Sequence, residues 1–167
     1  MNHRKIYTRL GDDGSTKLQS GERVSKDFVM IELYGDLDEL NSAIGVVLAS
    51  TIPENARHVL MRIQNELFQV GACIGQPNNC VIDKTHITAM EKDIDTINAK
   101  IPPLMQFITP TDSPTAAQCH LARAVCRRAE RSLVKYHREI PVNKHLLQYM
   151  NRLSDLLFVI SRYIDHA

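Results

Sequence analysis

The sequence predicts an all-α fold, a five-helix antiparallel bundle preceded by an irregular N-terminal segment. Hydrophobic residues make up 44% of the 167, but aromatic residues only 5%, with no tryptophan. That composition suits aliphatic helices better than the aromatic strands of a sandwich or barrel. Seven glycines and seven prolines are too few for the frequent turns of an all-β chain. Beyond residue 26, apolar residues recur at three- and four-residue steps, the helical period. A chain of this length is expected to form one domain and to bury about 70% of its unfolded surface without help from metal or disulfide. Residues 1–167 are therefore read as a single domain, with 1–26 the irregular segment and 27–167 the bundle.

In the opening stretch Gly11, Gly14 and Gly21 lie among Thr, Asp, Ser and Lys with little helical periodicity. Leu33, Leu37, Leu40, Ile44 and Val47 then place a first helix at about 28–50. A second is marked by Ala56, Val59, Leu60, Ile63, Leu67, Val70 and Ile74 and entered through Pro53, and residues 75–79 read as a loop. Ile87, Met90, Ile94, Ile97 and Ile101 give a third, stopped by Pro102-Pro103. Ser113-Pro114 is an N-cap followed by proline at the first helical position, opening a fourth helix that runs through Leu121, Val125 and Leu133 to about Tyr136. Pro141 and Asn143 separate it from a fifth, carried by Leu146, Leu147, Met150, Leu153, Leu157, Ile160 and Ile164. Short connections favour antiparallel neighbours.

Twenty basic and nineteen acidic residues give a formal charge of +1, so no whole-protein field draws in nucleic acid or a membrane surface. No apolar run approaches the roughly 20 residues that span a bilayer, and Met1 to Lys5 leave no room for a signal or transit peptide. Cys73, Cys80, Cys119 and Cys126 form no Cys-x-x-Cys pair and are read as reduced thiols of a cytoplasmic protein. Cys119 and Cys126 would share one helix, too far apart to bridge.

The fourth helix is unusually basic. Arg123, Arg127 and Glu130 share a stripe about 60° wide, flanked by His120 and Arg131. Arg128 falls instead among Leu121, Val125 and Ser132, on the side expected to be buried, where a guanidinium needs a partner. Such a stripe is either a solvated face with i,i+4 pairing or a receptor for phosphate oxygens, which arginine holds bidentately. On the fifth helix Asn151 and Asp155 stand one turn apart. They form an ordinary polar face, or Asp155 pairs with an arginine of the fourth helix while Asn151 reaches a ligand. The segment Tyr7 to Thr16 is a simple turn, or a loop that wraps phosphates with its N–H groups while its carboxylates hold Mg²⁺. No Walker loop, Glu-x-x-His, His-Glu-x-x-His, Gly-x-Ser-x-Gly or Gly-x-Gly-x-x-Gly occurs. The seven histidines are scattered and read as surface or helix-end residues, with no protein metal site. An enzyme built this way works by positioning and charge stabilisation.

Five stretches together resemble the PduO-type ATP:cob(I)alamin adenosyltransferases. They are residues 8–14 (TRLGDDG), 23–27 (RVSKD), 34–42 (YGDLDELNS), 123–131 (RAVCRRAER) and 149–158 (YMNRLSDLLF). The likeness covers nearly the whole chain in order. It implies a five-helix bundle that assembles as a homotrimer, with active sites between subunits. The implied reaction moves the 5′-deoxyadenosyl group of ATP onto the cobalt of cob(I)alamin, giving adenosylcobalamin and releasing triphosphate. Reduced cobalamin is then the nucleophile, which accounts for the absence of one in the protein.

By resemblance, Thr8, Arg9, Leu10, Gly11, Thr16, Lys17 and Lys26 form the N-terminal part of the ATP site. Arg127, Arg128, Glu130, Arg131 and Asn151 complete it, with Mg²⁺ riding on the triphosphate. Asp38 and Arg123 match a salt bridge across subunits beside the corrin. Phe107 matches an aromatic residue that blocks the lower face of cobalamin and favours four-coordinate Co(II). Read from its surroundings alone, between Pro102-Pro103 and Pro110, Phe107 is rather a plug at the end of the bundle. Two departures touch the cobalamin side. Thr111-Asp112 stand where many members have Gly-Gly, and the sequence ends at Ala167 where many members add a tail. The implied partners are a reductase and an adenosylcobalamin-dependent client enzyme. Rival expectations are a non-catalytic nucleotide-binding regulator or adenosylcobalamin carrier on the same bundle, and a bundle used only for assembly.

Overall fold

The computed structural model describes residues 5–105, 108–109 and 113–167. Its opening segment, expected to be irregular, contains a small antiparallel hairpin. β1 (Ser15–Lys17) pairs with β2 (Arg23–Ser25) in the register Ser15–Ser25, Thr16–Val24 and Lys17–Arg23. Strands of three residues are too short to show alternation, which is why periodicity missed them.

Five helices follow: α1 (Val29–Leu48), α2 (Glu54–Gly75), α3 (Lys84–Asn98), α4 (Pro114–Glu139) and α5 (Lys144–His166). A single 3₁₀ turn occupies Pro77–Asn79, within the expected loop. The start of α4 is as the sequence predicts. Ser113 Oγ accepts from the Ala116 N–H at 3.1 Å, with Pro114 in the first turn. Asn143 caps α5 by accepting from the His145 N–H at 3.0 Å, and Asp83 caps α3 by accepting from the Thr85 N–H at 2.9 Å. α3 ends at Asn98 rather than Ile101. The chain leaves through a turn in which the Ile101 N–H donates to the Asn98 carbonyl, and this keeps Ile101 buried without another helical turn.

α4 is the centre of the bundle, packed against α1 on one side and α5 on the other, while α3 packs on α5 and α2 on α1. Polar links fix the directions. Lys135 reaches Glu32, Arg128 reaches Asp36, and Ser50 reaches Gln118, so α4 runs antiparallel to α1. The Cys119 thiol meets the Leu157 carbonyl and the Cys126 thiol the Met150 carbonyl, so α5 turns back along α4. Serving two neighbours, α4 buries two adjoining stripes of mostly small residues: Ala116, Cys119, Ala122, Val125, Cys126 and Ala129. Small side chains let both neighbours approach α4 closely. Most large residues of the core come from the flanks, among them Leu33, Leu40, Ile44, Leu60, Ile63, Met90, Leu146 and Tyr149, with Leu133 and Tyr136 added by α4.

Several expectations are corrected here. Arg128 is not buried; its side chain is 43% exposed at the edge of the α1–α4 seam, and Leu121 on the same side is exposed. The reason is the placement of α4, whose buried arc is set by two partner helices rather than by its few large aliphatics. The reading of all four cysteines as free thiols fails for two: Cys73 and Cys80 form a disulfide joining the end of α2 to the following loop. Their seven-residue spacing spans a helix end and a turn, so the chain doubles back and brings the Cα atoms to 4.3 Å. Cys119 and Cys126 are free, as expected, and both are buried. His120, read as a surface or helix-end residue, is buried, its ring within hydrogen-bonding distance of Ser161 Oγ. Among the described residues no helix is long and apolar enough to cross a membrane.

Candidate functional site

The N-terminal segment is a built loop. Gly11 stands in a tight place, since a Cβ there would lie 3.0 Å from the Ser15 carbonyl oxygen and 3.2 Å from Lys26 Nζ. Gly14 has φ +82°, in the left-handed region that favours glycine. Asp13 closes the turn by accepting from the Ser15 N–H at 3.0 Å and from its hydroxyl at 2.7 Å. These bonds, with Arg23 nearby, hold its carboxyl below the usual range. Two cations brace the loop from beneath: Lys26 Nζ donates to the Gly11 carbonyl at 2.8 Å and Arg23 to the Leu10 carbonyl at 2.7 Å. Arg9 has φ 62°, uncommon for a residue with a side chain, and its guanidinium stacks 5.5 Å from the Tyr7 ring. Tyr7 and Leu10 are exposed. Thr8, Thr16 and Lys17 lie on the same segment, Thr16 and Lys17 within β1.

The second part is a groove of about 390 Å³ along α4, lined by Arg127, Glu130, Arg131, Val134, Lys135 and Arg138. Glu130 accepts from Asn151 Nδ2 of α5 at 3.1 Å, joining the two helices at the groove's edge. Lys135 is held by Glu32 of α1 at 2.8 Å, which raises its pKa. Arg128 turns away from the groove to Asp36, at 3.0 Å, and to Glu39. Asp155 does not pair with an arginine of α4; it meets Arg152 on its own helix at 3.7 Å, and Arg152 also bonds Glu91 of α3 at 2.9 Å. The tie between α4 and α5 is Glu130–Asn151 instead.

Asp38 projects from α1 beside a hollow of about 130 Å³ lined also by Tyr34, Leu37, Asn41, Leu67, Phe68 and Gly71. Phe68 is 71% exposed there, and the Asn41 side-chain oxygen is buried without a partner. Arg123 is half-buried on α4 with its guanidinium 5.9 Å from the Phe158 ring, and its Nε has no hydrogen-bond partner. Asp38 and Arg123 form no ion pair with each other or with any other described residue. Phe107, Thr111 and Asp112 lie outside the described residues.

Within one chain the N-terminal loop and the α4 groove stay apart, with no hydrogen bond or ion pair between them among the described residues. Residues 6–164 match the family model described as Cobalamin adenosyltransferase. The chain belongs to the cobalamin adenosyltransferase family. It is 43% identical over 164 residues to a cobalamin adenosyltransferase of Cupriavidus metallidurans, covering 98% of this chain and 89% of that one. It is 42% identical over 167 residues to the corrinoid adenosyltransferase PduO of Citrobacter freundii, covering 96% of this chain but about half, 50%, of the relative. Among solved structures it superposes with a TM-score of 0.90 and 30% identity on a variant PduO-type ATP:corrinoid adenosyltransferase from Lactobacillus reuteri complexed with cobalamin and ATP. That match covers 97% of this chain and 91% of the other.

Sequence reasoning had singled out the loop, Arg127, Arg131, Glu130 and Asn151. It missed Lys135 and Arg138 in the groove, although 127, 131, 135 and 138 are spaced as one helical face. It also gave no role to Phe158, because a contact between α4 and α5 leaves no local trace.

Proposed function

We propose that this member of the cobalamin adenosyltransferase family transfers the 5′-deoxyadenosyl group of ATP to the cobalt of cob(I)alamin and releases triphosphate. The observation that carries this reading is the α4 groove, where arginines without partners among the described residues stand beside the Glu130–Asn151 tie. Arginine forks left unpaired on a folded surface match the oxygens of a polyphosphate.

The chemistry needs little from side chains. The Co(I) electron pair attacks C5′ of the nucleotide, the C5′–O bond breaks, and triphosphate departs with the bonding pair, leaving cobalt formally oxidised by two electrons. The protein's tasks are to align the nucleotide for in-line attack and to stabilise the charge gathering on the leaving group. Thr8, Arg9, Leu10, Gly11, Thr16, Lys17 and Lys26 supply hydroxyls, N–H groups and charge from the loop. Arg127 and Arg131 receive phosphate oxygens, and Glu130 and Asn151 border the nucleotide. Arg128 braces α4 against α1 through Asp36 and Glu39. Mg²⁺ would arrive on the triphosphate.

The same reading extends to assembly. The loop and groove lie apart in one chain, and among the described residues neither Asp38 nor Arg123 has an ion-pair partner, which supports a site completed between subunits of a homotrimer, Asp38 of one meeting Arg123 of the next beside the corrin. Phe107 would press against the lower face of cobalamin and favour four-coordinate Co(II). The whole chain acts as one domain, in a cytoplasmic setting that offers an electron donor for Co(I) and a client enzyme for the product. Anaerobic mixing with chemically reduced cobalamin, Mg²⁺ and ATP tests the activity. The corrin spectrum should change from Co(I) to adenosylcobalamin, and ATP binding without that change would leave a carrier or regulator instead. Light scattering should return three chain masses at micromolar concentration; one chain mass would overturn the trimer.

A further inference from the structure

The bundle's arginines divide into two sets. Arg57, Arg62, Arg128, Arg152 and Arg162 each meet a carboxylate or a backbone carbonyl, and Arg123 lies over the Phe158 ring. Arg127, Arg131 and Arg138 meet no partner among the described residues, and all three line the one groove on α4. With Val134 they occupy an arc of about 60°, at about 100° per residue, and from Arg127 to Arg138 the groove runs about 16 Å along the helix. Its only carboxylate, Glu130, is engaged by Asn151 near the Arg127 end. Toward the other end the lining is Val134, Lys135 and Arg138, with Lys135 already fixed by Glu32. Among the groove's unpartnered arginines, Arg138 therefore stands farthest along the helix from the lining carboxylate.

We propose that Arg138 is a further phosphate-binding residue: with Arg131 and the tethered Lys135 it receives the terminal phosphate of the nucleotide and retains inorganic triphosphate after transfer. The proposal rests on the nucleotide reading of the groove and adds to it a direction, phosphates laid from Arg127 toward the C-terminal end of α4. It also gives the site a means of distinguishing a triphosphate from a diphosphate, since the terminal phosphate alone reaches Arg138. The competing role for Arg138 is local. A cation in the last turn of a helix interacts favourably with the helix dipole, and Arg138 lies in that turn.

The two roles separate in calorimetric titrations of the full chain with inorganic triphosphate, ATP and ADP, each with Mg²⁺, on wild type, Arg138→Gln and Arg138→Lys. Losing one charge-assisted contact should weaken triphosphate and ATP about tenfold in Arg138→Gln. ADP should be unaffected, so the preference for ATP over ADP shrinks by the same factor. Arg138→Lys should recover part of the loss, keeping the charge without the planar fork. The melting temperature should not move. Unchanged triphosphate affinity in Arg138→Gln would overturn the proposal, as would an equal loss for ADP. So would a lowered melting temperature with unchanged affinities, which would assign Arg138 to the helix end. A wild-type chain that binds neither ATP nor triphosphate would overturn the nucleotide reading itself, an outcome distinct from failure at Arg138 alone.

Discussion

Replacing Tyr149 with Phe removes one oxygen atom from the middle of the protein. Tyr149 is fully buried, and its hydroxyl donates to Glu66 Oε2 at 2.7 Å. Glu66 is itself only 7% exposed. Its other oxygen lies 3.1 Å from Arg62 Nε, but that N–H is not aligned for a hydrogen bond, so Arg62 supplies charge while Tyr149 supplies the bond. Arg62 is committed elsewhere as well, reaching Asp93 of α3 at 2.7 Å. In Tyr149→Phe the carboxylate stays buried with one oxygen unpaired, and losing a hydrogen bond to a charged group costs about 1.5–3 kcal/mol. For a domain of this size each kcal/mol moves the melting temperature by about 2–4 °C, so the expected fall is about 3–12 °C. Calorimetry at fixed protein concentration measures it, because assembly makes melting concentration-dependent. Adding Glu66→Gln to Tyr149→Phe should cost less than the sum of the single changes, since both remove the same bond. Burial, and then the Glu66 charge, hold the Tyr149 hydroxyl well above its ordinary pKa. A group raised on folding contributes stability below its unfolded value, near 10 for tyrosine, and loses it as pH climbs further. Wild type should therefore lose stability above about pH 10 more steeply than Tyr149→Phe. A melting temperature within a degree of wild type, with the same alkaline profile, would refute the assignment.

Arg127→Ala should weaken ATP binding and slow transfer at unchanged melting temperature, whereas Arg128→Ala, which releases Asp36 and Glu39, should lower melting slightly and leave ATP affinity intact; titration and melting on both variants check the division. Ser113→Ala removes the cap of α4 and should cost about 1 kcal/mol, seen as a small fall in melting temperature with α-helical circular dichroism retained. Native alkylation should spare Cys119 and Cys126, both buried, with the Cys119 thiol pushed up to about 12, and a non-reduced peptide map should join Cys73 to Cys80. The N-terminal cap of α3 depends on Asp83, whose carboxyl is held far below the usual range by Thr85 and His86. Its contribution is present above about pH 4 and should disappear as pH falls through that depressed value, so wild type and Asp83→Ala should converge in stability in strong acid.

The helices were readable because each carries its own period and stop signals. Leu33–Leu37–Leu40–Ile44 marks the inner face of α1, and Ser113-Pro114 marks the start of α4 to the residue. Pairings between helices were not readable. That Arg128 needs a partner follows from sequence, but that the partners are Asp36 and Glu39, about ninety residues earlier, follows only from α1 lying against α4. The same limit explains Asp155, whose neighbour Arg152 is local, while the expected arginine lay across an interface that Asn151 and Glu130 occupy. The Cys73–Cys80 bond escaped because it depends on how sharply the chain turns after Gly75. In the site, the glycines of the loop announced themselves through composition. Lys26 and Arg23 acting as braces beneath it required the hairpin, which three-residue strands do not reveal.

The seam between α1 and α4 has a consequence for how the chain is made. Its polar links, Asp36 to Arg128 and Glu32 to Lys135, join residues 92 and 103 apart in sequence, while α4 and α5 are joined by one short connection. As the polypeptide emerges from its N-terminus, α1 has only α2 to lean on, and its leucine face waits for a partner that is synthesised more than two-thirds of the way through. The helix that covers α1 is also the one that bears the arginine groove. A chain arrested before α4 would thus leave the leucine face of α1 uncovered and lack the arginine groove together.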